Sequence, residues 1–316
     1  MPASQHDATG VRPPILDAIG RTPAIRLVRL VEPGMAEVWI KLESHNPTGS
    51  YKDRMALAMI EGAERSGRLR PGQTVVEYTG GSTGSSLAFV CAIKGYPLRI
   101  VSSDAFAAEK ILTMRAFGAD VELIPSPEGI TPALIPAMQA RAAEIAAEVG
   151  GYRTDQFNNR DMVEGYAALG DELADALGDR LDAWVSYVGT AGCFLGVTGA
   201  LRARIPDVER VVVEPAESAV YSGGTAGTHR IEGGGVGFIA PQMHPGDWDA
   251  VEAVSTADAF AMARRAAREE GLWSGPSTGA NLVAALRVAR RLGAGRRVAT
   301  VLVDSGMKYL GGELFR

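Results

Sequence analysis

Two periods of apolar residues take turns along this chain, and the switch between them recurs. Short, often β-branched runs read as strands: Thr74–Tyr78, Leu98–Ser102, Asp120–Ile124, Trp184–Val188, Val208–Val213 and Val298–Val303. Ala24–Leu27, Glu37–Glu43 and Val251–Val254 read as further strands. Between them lie longer stretches with apolar residues at helical spacing. These predict helices over Tyr51–Arg65, from a glycine-rich turn to near Gly95, and over Ala107–Phe117, Thr131–Val149 and Met162–Leu177. Later helices are predicted up to about Arg204, over Ala257–Glu270 with Ser255 or Thr256 as cap, and over Thr278–Leu292. Ile15–Gly20 reads as a short helix closed by glycine. Strand, turn and helix in repeated order predict an α/β fold with parallel sheet and right-handed crossovers. Thr154–Asn159 is polar and reads as a lobe boundary. Residues 215–247 are rich in Gly, Pro and His with weak periodicity, and a loop that long is usually functional.

Composition narrows the function classes. The chain has 316 residues, 46% hydrophobic and 22% charged, enough for two lobes or one large α/β domain. Its net charge is −5 with no basic stripe, which argues against a nucleic-acid partner. No apolar run approaches membrane-spanning length. Cys91 and Cys193 are the only cysteines, with no CxxC and no metal-ligand spacing. The expectation is therefore no disulfide framework, no metal and a reducing compartment. Met1–Pro14 is polar with two adjacent prolines and no signal-peptide core, so it reads as a mobile arm.

Four stretches carry candidate chemistry. Asn46-Pro47-Thr48-Gly49-Ser50-Tyr51-Lys52-Asp53-Arg54 sets a lysine just after a Pro/Gly turn and at a helix start. Desolvation and the positive helix end favour its free amine, which can form a Schiff base with an aldehyde. By itself, Lys52 could equally be a solvated first-turn lysine. Thr79-Gly80-Gly81-Ser82-Thr83-Gly84 and Gly189-Thr190-Ala191-Gly192-Cys193 each follow a strand and open a helix. Both read as anion cradles of backbone amides, although glycine is common in ordinary βα turns. Neither is GxGxxG, and no GxxxxGK[ST] occurs, so dinucleotide and nucleoside triphosphate sites are poorly supported. Two cradles suit two anionic groups, such as a cofactor phosphate and a substrate carboxylate. Ser274-Gly275-Pro276-Ser277-Thr278-Gly279 offers hydroxyls that suit either a helix cap or a cofactor contact.

Taken together, these motifs resemble the cysteine synthase and cystathionine β-synthase branch of fold-type II pyridoxal-phosphate enzymes. The likeness runs from Ile15-Leu16-Asp17-Ala18-Ile19-Gly20-Arg21-Thr22-Pro23 to Asp304-Ser305-Gly306-Met307-Lys308-Tyr309-Leu310. It implies two open twisted-sheet lobes of tryptophan synthase β-like, three-layer αβα architecture. The smaller lobe would span residues 46–155, and the larger 15–45 with 156–316. It implies pyridoxal 5'-phosphate bound covalently by Lys52, its phosphate held by Gly189, Thr190, Ala191, Gly192 and Cys193, and its pyridine nitrogen met by Ser277. Thr79, Gly80, Gly81, Ser82 and Thr83, with Gln156 and Gly234, match the substrate-binding positions, and Ser82 also falls at a cofactor contact. Gly80 and Ser82 stand where the family usually has Ser and Asn, which predicts a roomier or differently polar acceptor side. Ala191 and Cys193 replace a glycine and a hydroxyl residue, and Asn159 replaces a proline.

The implied reaction is β-replacement on an amino acid with a β leaving group, through an α-aminoacrylate, with sulfide, a thiol or another small nucleophile. The alternatives are β-elimination of the serine/threonine dehydratase type and, less favoured, a non-catalytic binding protein of the same fold. The resemblance further implies a cytoplasmic homodimer acting on small molecules, with no nucleic-acid or membrane partner.

Overall fold

The computed structural model describes residues 13–128, 131 and 133–316. Residues 1–12 of the polar arm lie outside them. In chain order the first half contains β1 (Ala24–Arg26), β2 (Glu37–Leu42), α1 (Lys52–Arg65), β3 (Val75–Tyr78), α2 (Ser82–Lys94) and β4 (Leu98–Ser103). It continues with α3 (Ala108–Ala116), β5 (Asp120–Ile124), α4 (Leu134–Val149) and β6 (Tyr152–Arg153). The second half contains α5 (Asp161–Leu177), β7 (Ala183–Tyr187), α6 (Gly192–Arg204), β8 (Glu209–Pro215) and β9 (Ala250–Val254). It ends with α7 (Thr256–Glu270), α8 (Pro276–Leu292) and β10 (Arg297–Leu302).

These strands form two sheets. One has four strands in the order β5-β4-β3-β6, all parallel. The other has six, β1-β2-β10-β7-β8-β9, parallel except for the antiparallel β1–β2 pair. Helices cover both faces of each sheet, which is why the strands read as nearly unbroken apolar runs. In β3, Val75 points into the core shared with α1 and α2, while Val76 joins Val101, Met138 and Ile145 beneath α4. In the six-stranded sheet, Val185, Val211 and Val298 pack with Leu282 and Ala285 of α8. On its opposite face Trp184 and Val212 meet a core that includes Tyr166, Leu169 and Phe194.

The local differences from expectation are small and have physical causes. The helix expected from Thr131 starts at Leu134, just beyond Pro132. Tyr152–Arg153 pairs with Val75 and Val76 as a two-residue strand too short to show a period. Ile15–Gly20 is a 3-10 turn over Pro14–Ala18. Ser255, not Thr256, caps α7, its Oγ accepting from the Asp258 amide at 3.1 Å. Among the described residues no helix is long and apolar enough to cross a membrane, and no His/Cys/Asp/Glu cluster could hold a metal. Cys91 and Cys193 are buried free thiols.

Candidate active site

The loop before α1 is stitched to the end of β10. Tyr51 N donates to Val303 O at 3.1 Å, and Ser305 N to Gly49 O at 2.9 Å. Gly49 turns the chain at φ 72°, and Asp53 accepts from both the amide and hydroxyl of Thr48 at 2.8 and 2.6 Å. These bonds fix Lys52 as the first residue of α1, 7% exposed. Among the described residues its Nζ has no hydrogen-bond or ion-pair partner; it lies 4.8 Å from the centre of the Tyr51 ring. Burial pushes the amine down to about 8, against the opposing pull of Cys193 and Asp304.

Lys52 shares a cleft with Tyr51, Tyr187, Val188, Gly189, Thr190, Ala191, Cys193 and Phe194. Residues 189–193 form the turn from β7 into α6, and all are buried. Among the described residues, their backbone amides make no hydrogen bond within the protein. Five buried orphan donors at a helix start form a cradle that an anion satisfies. Gly189 is required for close approach, since a Cβ there would sit 2.8 Å from Gly233 O. Ala191 holds a left-handed φ of 69° that ordinarily selects glycine.

Ser277 lies in the first turn of α8. Gly275 precedes that helix without a side-chain cap, so Ser277 and Thr278 are not its caps. Thr278 Oγ1 instead accepts from Val303 N at 3.0 Å, tying α8 to β10. Ser277 Oγ is buried with no partner, a hydroxyl left available to a bound group. A Cβ on Gly233 would lie 3.5 Å from that oxygen, and Gly233 O packs on Gly189, so the loop at 233–234 joins Ser277 to the cradle. Gly234 packs tightly against Tyr187 and Val188.

The second cradle opens α2. Gly81 has φ 147°, its amide donates to Thr79 Oγ1 at 3.0 Å, and the amides of Ser82, Thr83 and Gly84 are without protein partners among the described residues. Gln156 is brought to this loop, but both ends of its side chain are engaged: Oε1 accepts from Thr83 at 2.8 Å and Nε2 donates to Tyr78 O at 3.0 Å. It therefore holds the loop in place rather than offering a free group. The roomier site expected from Gly80 is not found on that side. Phe106 fills the space, its ring carbons 2.7–3.0 Å from where a Cβ would be.

Sequence reasoning missed the groups behind this loop. Ser82 Oγ donates to Asp304 Oδ2 at 3.3 Å, and Tyr309 OH to the same oxygen at 2.8 Å. Lys110 Nζ bonds Glu232 at 2.6 Å and Tyr309 OH at 3.3 Å. Glu77, buried in β3, accepts from Thr154 Oγ1, Tyr78 N and Gln156 N at 2.6, 2.9 and 3.1 Å. The available signal was charge in apolar company: Glu77 follows Val75-Val76, and Asp304 follows the apolar run of β10.

The unpartnered amine, the orphan cradle and the free Ser277 hydroxyl fit an aldehyde-bearing aromatic phosphate. Residues 15–304 match the family described as "Pyridoxal-phosphate dependent enzyme". The chain belongs to that family. It is 40% identical over 303 residues to a cysteine synthase of Staphylococcus aureus (strain N315), covering 95% of this chain and 96% of the relative. It superposes on O-ureido-L-serine synthase with TM-score 0.89 and 35% identity, over 95% of this chain and 94% of that one. The O-acetylserine dependent cystathionine β-synthase from Helicobacter pylori gives TM-score 0.88 and 34% identity, over 96% and 98%. The protein is thus a pyridoxal-phosphate dependent enzyme of the cysteine synthase type, with the fold-type II architecture.

Proposed function

We propose that the protein catalyses β-replacement on an amino acid carrying a leaving group on Cβ, with a small nucleophile as second substrate. The observation that carries this reading is the buried, unpartnered Lys52 amine sharing a cleft with the orphan amides of 189–193. Bound pyridoxal phosphate would supply the aldehyde for covalent attachment and an electron sink next to Cα. Lys52 would hold the cofactor covalently, and its free Nζ would take the Cα proton. Its lowered basicity and fixed position suit that transfer near neutral pH. The amides of Gly189 to Cys193 would take the phosphate, and Ser277 Oγ the pyridine nitrogen. That neutral hydroxyl would give the pyridine nitrogen a hydrogen-bond partner without a charge. The amides of Ser82, Thr83 and Gly84 would grip the substrate carboxylate, with Gln156 bracing Thr83.

In this reading the carboxylate loop and the phosphate cradle lie in different lobes, one spanning 46–155 and the other 15–45 with 156–316. We also take the protein to be a cytoplasmic homodimer without a nucleic-acid or membrane partner. The net charge of −5 and the two free thiols support that view. The named activities of the three relatives differ, while the family is common to them.

The test is a panel of β-substituted amino acids crossed with nucleophiles, read by product mass. The expected product is the donor minus its leaving group plus the nucleophile. Keto acid and ammonia as the sole products would replace this reading with β-elimination. Borohydride reduction should leave the cofactor mass on Lys52, and Lys52→Ala should abolish both turnover and the label. A label on another lysine overturns the assignment.

A further inference from the structure

A chain of hydrogen bonds runs from the protein surface to Ser82, and the donors within it fix its direction. Lys110, 3% exposed, can only donate. It donates to Glu232 Oε2 at 2.6 Å and to the Tyr309 hydroxyl oxygen at 3.3 Å, with its ammonium 4.4 Å from the centre of the Tyr309 ring. The Tyr309 proton therefore goes to Asp304 Oδ2 at 2.8 Å. That oxygen is an acceptor, and Ser82 Oγ is 3.3 Å from it. Ser82 has a single proton, and the carboxylate takes it. Toward the site Ser82 has only lone pairs to offer.

The arrangement is built into the fold. Asp304 is 2% exposed, and its Oδ1 has no partner among the described residues. It bridges to Ser50 of the Lys52 loop, so one residue is tied to both the lysine loop and the carboxylate loop. Gly81 admits the stem of Lys110 beneath the loop, since a Cβ there would come within 2.2 Å of Lys110 Cδ. Burial pushes the Asp304 carboxyl up, while Lys110, Lys308 and the Tyr309 hydrogen bond favour its carboxylate and Glu232 opposes it; Asp304 in turn acts on Lys52.

We propose that this chain fixes Ser82 as a hydrogen-bond acceptor for the N–H or S–H of the second substrate, so that the protein uses un-ionised thiols and amines in preference to anionic nucleophiles. The proposal rests on the β-replacement reading and names its nucleophile class. Ser82 is the group that touches substrate, and Asp304, acting through it, is a positioning residue. As the new bond to Cβ forms, the S–H or N–H bond breaks and its proton passes to Ser82 Oγ while the Ser82 proton passes to Asp304 Oδ2. A thiolate or azide brings no such proton and meets an oxygen lone pair backed by a carboxylate. The asparagine amide usual at this position in the family can donate instead, which is the difference the substitution makes.

The experiment uses the holoenzyme and two thiols of similar size. One is 2-mercaptoethanol, un-ionised at neutral pH; the other is 2,2,2-trifluoroethanethiol, far more ionised. Azide serves as a nucleophile with no proton. Release of the leaving group without nucleophile is measured first, then kcat/KM for each nucleophile from pH 6 to 9. The wild-type protein should prefer the un-ionised thiol, and its rate with trifluoroethanethiol should fall as pH rises. Ser82→Ala and Asp304→Asn should each lower the preference by about tenfold, the value of one hydrogen bond to a polar partner held by charge, and the double variant no further. The readout is the ratio of kcat/KM between the two thiols, which a change in leaving-group release common to both does not move. In cofactor-free protein the carboxyl carbon resonance of Asp304 should move in both Ser82→Ala and Tyr309→Phe. Ser82 is only half-buried, so Ser82→Ala carries the test by itself if Asp304→Asn does not fold.

A preference unchanged in Ser82→Ala overturns the proposal. So does a loss of cofactor retention in that variant, which would make Ser82 a cofactor contact. If the wild-type protein releases no leaving group from any donor, the β-replacement reading fails instead.

Discussion

Glu77 illustrates at the residue scale how much a single buried group sets. Burial pushes its carboxyl up to about 7, outweighing the bonds from Thr154, Tyr78 and Gln156 that favour the charged form. The ordinary value is 4.5. Between these two values the folded protein keeps a proton that the unfolded chain has lost. Stability from this group is therefore complete below the ordinary value and falls as pH rises through about 7, by up to roughly 3 kcal/mol. Glu77→Gln should flatten this dependence. Urea unfolding at pH 5 and pH 8 checks it: the wild-type protein should lose stability relative to the variant at the higher pH, and equal changes would rule the effect out. The sequence displayed this residue, as a charge inside a valine strand, but not its three donors, two of which are on the far side of α4.

At the scale of elements, α1 is held by more than its apolar face. Arg54 stands two residues after Lys52. It donates to Glu43 at 2.8 and 2.9 Å and to Glu172 of α5 at 2.8 Å, with Glu43 wholly buried. Lys41, 1% exposed, bonds Glu172 at 2.5 Å and also the Thr22 carbonyl and hydroxyl. Removing the arginine strands a buried carboxylate, so Arg54→Met should cost about 3–5 kcal/mol. The same change should loosen the start of α1 and reduce cofactor retention. Chemical denaturation together with cofactor absorbance measures both, and a loss under 1 kcal/mol (roughly the value of an exposed pair) would show that the network is not structural. Lys41 and Glu43 looked like ordinary polar positions of a strand. Their partners come from elsewhere in the fold: Glu172 of α5 and Thr22 for Lys41, and Arg54, Thr22 and Asn46 for Glu43.

At the scale of the whole molecule, the five buried amides of residues 189–193 have no protein partner among the described residues, and a bound anion would satisfy them. Cofactor binding to the folded state alone stabilises it by mass action, about 4 kcal/mol at a thousandfold excess over Kd. Stripping the cofactor should therefore lower the melting temperature by several degrees, roughly 2–4 °C per kcal/mol for a chain somewhat smaller than this. Inorganic phosphate should restore part of the loss through the cradle, and pyridoxal without phosphate should restore less. Calorimetry of the four forms decides it. A melting temperature unaffected by phosphate would show that the cradle binds no anion.

The sequence by itself determined what depends on neighbours along the chain. The order of strands and helices, the turn that sets Lys52 at a helix start and the two glycine cradles all follow from local period, turn chemistry and helix-end electrostatics. The resemblance to the pyridoxal-phosphate family rests on those same local motifs. Tertiary structure alone decided what stands behind them. Ser82 and Asp304 are 222 positions apart, and Lys110 and Tyr309 are 199 apart. Their meeting depends on the order of the strands in two sheets and on a C-terminal turn folding back against α3. Phe106 fills the space opposite Gly80 for the same reason. A residue's type fixes which bonds it can make, but the fold fixes which partner it meets and hence the direction of each proton.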